Sequence, residues 1–215
     1  EIIACAATHG YLPLMERPES VRAQVILGIE AHREMFGCDP LGMWLPECAY
    51  FQGMDRILAD CEIRWFVLDS HGLTLGRPQP RFATYAPVFT PAGPAAFARD
   101  RESARQVWSA AEGYPGDPFY RDFYRDVGWD MPEADYDRWF PNAGRRFTGL
   151  KCHRITGSDP KEIYDRNMAM RRVEEHARHF LDARIQQLGR VCRLMPIPPI
   201  AISPFDADAD VGYLC

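Results

Sequence analysis

Gly42-Met43-Trp44-Leu45-Pro46-Glu47-Cys48-Ala49-Tyr50 reads as a short apolar strand that delivers a carboxylate to its far end. An α/β barrel places its chemistry at such a point, the C-terminal end of a strand where loops converge. Glu47 is therefore the first candidate for a reacting group, although an acid beside tryptophan also serves in structural ion pairs and loop caps. A second stretch repeats the pattern. Pro198-Pro199-Ile200-Ala201-Ile202-Ser203-Pro204-Phe205-Asp206 opens on proline, runs through branched apolar residues and leaves on a carboxylate. Glycoside chemistry uses such a pair: one carboxylate meets the anomeric carbon while the other protonates the leaving oxygen.

Outward from Glu47 the chain alternates strands and helices. Ile2 to Thr8 is a continuous small and apolar run, as expected for a strand buried on both faces, and it ends at His9-Gly10. Pro18 to Phe36 reads as a helix. Proline suits its first turn, Val21, Val25, Ile29 and Phe36 form a stripe, and Gly37 supplies the stop. His32 falls off that stripe and is expected in solvent. Asp55 to Cys61 forms a short helix, and Ile63 to His71 another buried strand, which brings Asp69 and His71 to a third strand exit. Both are candidates to line the same cleft, and an Asp beside a His is equally a common supporting hydrogen bond. This order predicts parallel β/α units. Residues 73 to 100 are proline-rich and weakly periodic, so they read as loop with at most a short hairpin.

Residues 101 to 147 interleave Trp108, Tyr114, Tyr120, Trp129, Tyr136, Trp139 and other rings with Asp and Arg. Such a segment either packs its rings into a core or offers them to a ligand. Ser158-Asp159-Pro160 predicts a helix start, with Ile163, Met170, Val173, Ala177, Phe180, Leu181, Ile185 and Leu188 as its stripe and Gly189 as its end. His176 and His179 lack the spacing of a metal-binding helix and are expected on its solvated face.

Composition excludes several classes. The 215 residues, 47% hydrophobic, suffice for one sizeable core, and a net charge of −5 leaves no basic stripe for nucleic acid. No apolar run approaches membrane-spanning length, and no leader-like segment precedes the first strand. Seven scattered cysteines, none spaced Cys-x-x-Cys, favour reduced thiols in a cytoplasm over a disulfide framework or a zinc site. Asp206, Asp208 and Asp210 alternate like the start of a calcium loop, but Val211 stands where its glycine belongs, so no calcium is expected.

Three motifs carry a family resemblance. Ala4-Cys5-Ala6-Ala7-Thr8-His9-Gly10-Tyr11-Leu12-Pro13-Leu14, Trp44-Leu45-Pro46-Glu47-Cys48-Ala49-Tyr50 and Ser203-Pro204-Phe205-Asp206 resemble, in order, glycoside hydrolase family 57, in particular its 1,4-α-glucan branching enzymes. Connecting text at Val107-Trp108-Ser109, at 112–118 and at Thr148-Gly149-Leu150-Lys151 is similar too. The resemblance implies an incomplete seven-stranded (β/α) barrel, of which residues 1–215 form part, with 101–147 as an aromatic-rich insertion. It also implies that the family's first histidine motif and its C-terminal helical domain fall outside this stretch. Text after Asp206 departs from the family pattern.

The chemistry implied is a retaining transfer on α-1,4-glucan, with Glu47 as nucleophile and Asp206 as general acid/base. His9, Trp44, Asp69, His71, Trp108 and Trp129 would contact sugar. Neither metal nor cofactor is required. Transfer to a C6 hydroxyl gives a branch, transfer to C4 a redistributed chain, and transfer to water hydrolysis; a glucan-binding protein without turnover is the reading of another class.

Overall fold

The computed structural model describes residues 2–158 and 160–205, which fall into two compact units. The first comprises the chain up to Arg101 together with Gln187–Ser203; the second is Glu102–Gln186 with Pro204 and Phe205.

The first unit is built on one sheet. Its strands are β1 (Ala4–Cys5), β2 (Gly42–Trp44), β3 (Trp65–Leu68), β4 (Val88–Phe89) and β5 (Ala95–Ala98), in the spatial order β1-β2-β3-β5-β4. β1, β2, β3 and β5 run parallel, so their C-terminal ends all lie along one edge, and β4 closes the sheet antiparallel to β5. Ile202 makes a parallel bridge to Arg99, just past β5, so the stretch that leads to Asp206 arrives in the same direction as the other strands. The ladders are shorter than the apolar runs predicted: two residues from Ile2–Thr8 and four from Ile63–His71. Apolar character extends beyond the hydrogen-bonded ladder because flanking residues such as Ala6 and Ile63 are buried as well. The proline-rich segment holds more than a hairpin. Its second arm, β5, is a central parallel strand whose alanines pack in the core.

Helix α1 (Pro18–Phe36) has the predicted bounds. Gly37 takes the left-handed conformation, φ 67°, and its N–H donates to the Arg33 carbonyl at 2.9 Å, closing the helix. The buried face is Val21, Val25, Gly28, Ile29 and His32. His32 is thus in the core rather than in solvent: it follows Ile29 by three positions on one helical face, and its ring packs on Phe36 with centroids 4.8 Å apart. Phe36, expected in the stripe, is half exposed at the helix end. Helix α2 (Met54–Asp60) and the short α3 (Ser70–Thr74) complete the cover. Leu12, Met43, Leu45, Met54, Leu58 and Phe66 are wholly buried together, and each such side chain contributes roughly 1.5–3 kcal/mol of transfer free energy.

In the second unit, α4 runs Arg101–Trp108, α5 Val127–Asp130, α6 Glu133–Trp139 and α7 Arg166–Cys192; Arg101 and the last residues of α7, from Gln187, count with the first unit. Helix α7 begins later than its predicted cap at Ser158. Asp165 caps it, its carboxylate accepting from the N–H groups of Asn167 and Met168 at 2.8 and 3.2 Å. The helix also continues through Gly189. Its inward face differs from the predicted stripe. Ala169, Arg184 and Gln187 are buried, whereas Leu181 and Ile185 are exposed and Ile163 precedes the helix. Long polar side chains can occupy that face because partners meet them: Arg184 donates to Glu102 and Gln106 at 2.8 and 2.9 Å.

Candidate active site

The C-terminal edge of the sheet collects the residues expected to act. After β1 the chain turns at His9, after β2 at Glu47, and after β3 at Asp69. Since β1 and β2 are neighbours, with Cys5 opposite Trp44, the two turns stand side by side. The Glu47 carboxylate comes within 3.4 Å of His9 Nε2. Pro46–Cys48 is a single 3-10 turn in which Glu47 and Cys48 hold φ of 56° and 55°; His9 holds 52°. Left-handed backbone at residues with a β-carbon costs about 1 kcal/mol or more each and concentrates at functional sites. Here it turns two side chains off the sheet edge toward each other. Both remain open to solvent, the Glu47 side chain 72% and that of His9 53% exposed. Trp44 ends β2 with a half-buried ring.

Asp69 caps α3, accepting from the His71 backbone N–H and, at 2.9 Å, from His71 Nδ1. Arg99, beyond β5, reaches the same carboxylate at 2.7 Å. Burial alone would push the Asp69 pKa up. The His71 hydrogen bond, the Arg99 charge and the Ser70 hydroxyl together outweigh it and hold the carboxyl below its usual range. Asp69 is therefore a fixed anion, and His71 an exposed ring tethered to it. Arg99 was missed in the sequence because β5 itself was read as loop; the short Ala95–Ala98 run after Pro94 was the signal that marked it.

Asp206, the second carboxylate expected from the sequence, and the alternating acids after it lie outside the described residues.

In the second unit, Asp126 organises the aromatic segment. Wholly buried, it accepts from Gly128 N–H at 2.8 Å, Thr148 N–H at 2.9 Å, Thr148 Oγ1 at 2.7 Å and Gly149 N–H at 2.9 Å. Burial raises its pKa, but these donors prevail and draw it down to about 2. Arg145 then ties the same two loops together, donating to the carbonyls of Gly128, Trp129 and Met131. On this clamp Trp129 is 51% exposed, edge-on to the equally open Phe147, with Phe123 and Tyr124 exposed as well. Tyr120 and Tyr136, by contrast, are core residues. Trp108 ends α4 with its ring 41% exposed and on a different element from Trp129.

Of the two histidines expected on the solvated face of α7, His179 is exposed and His176 is half-buried. His176 Nδ1 meets the Tyr120 hydroxyl at 2.7 Å, its other nitrogen is 3.3 Å from Asp117, and Tyr114 stacks on its ring while its own hydroxyl meets His179. They border a cavity of about 270 Å³. Among the described residues no cluster of His, Cys, Asp and Glu is placed to hold a metal.

The chain as a whole is similar to several known proteins. A 1,4-α-glucan branching enzyme of Thermococcus kodakarensis is 34% identical over 97% of this chain, which spans 33% of that protein's length. Among solved structures, an α-amylase from Thermotoga maritima superposes with a TM-score of 0.81 at 45% identity, over 97% of this chain and 41% of that one. A family 57-type branching enzyme from Pyrococcus horikoshii does so with 0.75 at 36%, over 96% and 38%. These likenesses extend to the parallel sheet and so give the α/β fold as part of an incomplete seven-stranded barrel. The model for glycosyl hydrolase family 57 covers residues 1–147, the span that holds His9, Glu47, Asp69 and the aromatic segment, and the chain belongs to that family.

Proposed function

We propose that the protein cleaves α-1,4-glucan and transfers the released chain to a C6 hydroxyl, forming α-1,6 branches, by a retaining double displacement. The observation that carries the reading is Glu47 standing beside His9 at the ends of adjacent parallel strands, in a family member whose relatives include branching enzymes over 97% of the chain. Glu47 attacks the anomeric carbon and the glycosidic C1–O4 bond breaks. Asp206 gives its proton to the departing oxygen. Asp206 then takes the proton of the incoming C6 hydroxyl, whose oxygen displaces Glu47 from C1. A separation of about 5–5.5 Å between the two carboxyl groups is what retention requires.

His9, Trp44, Asp69 and His71 line the donor side in this reading. The exposed rings around Trp129, and Trp108, offer flat apolar faces for glucose; the rigid Asp126 clamp beneath Trp129 supports that role. The reaction needs no metal or cofactor, and its setting is the cytoplasm, where it serves glycogen or a similar glucan. Among the described residues no helix is long and apolar enough to cross a membrane.

Hydrolysis is the second reading, favoured by the Thermotoga maritima α-amylase likeness at TM-score 0.81. Both readings share the first displacement and differ only in the acceptor. Incubation with linear amylose followed by proton NMR separates them. New α-1,6 linkages are expected. Shorter chains without them indicate water as acceptor, redistributed lengths a C4 acceptor, and amylose affinity without turnover a binding protein.

A further inference from the structure

We propose that Cys5 is a positioning residue for Glu47, acting through His9; the inference rests on the reading of Glu47 as the nucleophile. Cys5 Sγ lies 3.4 Å from His9 Nδ1, and His9 Nε2 lies 3.4 Å from Glu47 Oε1. A carboxylate only accepts, so the nitrogen facing Glu47 carries the hydrogen. In the neutral ring the other nitrogen is then an acceptor. The group facing that acceptor is a thiol, which can donate. The three side chains form one directed chain, S–H to Nδ1 and Nε2–H to Oε1, and each contact selects the same imidazole tautomer.

The end of the chain at Cys5 is the fixed one. His9 and Glu47 are mostly exposed, and little packing restrains their rotamers. Cys5 belongs to β1, in register with Trp44 of β2, and its carbonyl lies against Gly28 of α1 so closely that a β-carbon there would overlap it. The thiol therefore ties the ring to the sheet, and the ring in turn sets where the carboxylate points. A nucleophile gains from being held in attack geometry before substrate arrives. The left-handed backbone of His9 and Glu47 is the other half of the same device, since it aims both side chains into the contact.

The test uses Cys5→Ala and Cys5→Ser with amylose as substrate and ¹⁵N NMR of the His9 ring. In the unaltered protein the neutral ring is expected in the Nε2–H form. Cys5→Ala should lower kcat about tenfold with KM unchanged, the size typical of removing a group that orients a reacting residue, and its ring nitrogens should average between tautomers. Cys5→Ser, which restores a donor, should return kcat to within about twofold. An Nδ1–H ring in the unaltered protein overturns the proposal, as does an alanine variant with full kcat or a serine variant as impaired as alanine. If the unaltered protein shows no turnover, the nucleophile reading falls separately. The ring then decides: averaging on Cys5→Ala with recovery in Cys5→Ser supports the anchor, and a ring unchanged by Cys5→Ala overturns it.

Discussion

Gly28 of α1 lies directly against the Cys5 carbonyl of β1, with Ala6 next to it, so helix and strand meet backbone to backbone. A β-carbon at 28 would overlap that oxygen. Helix propensity favours alanine over glycine by about 1 kcal/mol, yet the overlap reverses the sign. Gly28→Ala should destabilise the protein by about 1–3 kcal/mol, the usual effect of forcing extra volume into a packed contact. Chemical denaturation measures this, and a more stable variant would show that the helix moves away freely.

Glu47→Gln keeps the size and the backbone of an exposed residue, so stability should stay within about 0.5 kcal/mol. Glucan transfer should fall by about a thousandfold or more, as losing a nucleophile does. Retained turnover would remove Glu47 from the role.

Glu47→Gly makes the opposite trade. Glycine accepts a φ of 56° without the β-carbon penalty, so the variant should gain up to about 1 kcal/mol in stability while losing activity. A calorimetric midpoint below that of the parent would show that the turn is not strained at this position. A gain together with lost turnover is the pattern expected where strain serves function.

Asp126→Ala leaves three backbone donors and a hydroxyl without their buried acceptor. A loss of about 2–4 kcal/mol is expected in the unit that carries it, with Trp129 fluorescence shifting as its loop loosens. The pH dependence has a definite sign. The folded pKa of about 2 lies below the ordinary 3.8 of an aspartate, so the stabilisation is full above about pH 4 and fades as pH falls toward 2. Urea midpoints read through Trp129 should fall over that window in the parent and change less in Asp126→Ala.

Local signals were written plainly in the sequence. Pro18 and Gly37 bound α1 to the residue, because both act through their own backbone and need no partner. Glu47 and His9 were legible as strand-end residues for a similar reason: an apolar run followed by a polar turn marks where a buried strand leaves the sheet. The extent of each ladder was not legible, since burial continues past the last hydrogen bond. Ala95–Ala98 was hidden because Gly93 and Pro94 stand directly before it and three alanines around Phe97 are too short a run to show a period.

Polar residues were hardest to place. His32 and His176 read as solvated when judged on their own helices, yet one packs under Phe36 and the other meets Tyr120, Tyr114 and Asp117, partners as many as 62 residues away in the chain. Asp126 gives no sign in sequence that four donors converge on it. The sequence by itself determined the order of the first strands and helices, the α/β class and the turn that carries Glu47, through propensities that act over a few residues. Tertiary structure alone decided that His9 faces Glu47, that Cys5 stands behind His9 and that Arg99 meets Asp69. Those pairings arise from strand order and register, which depend on packing between segments that no local pattern connects.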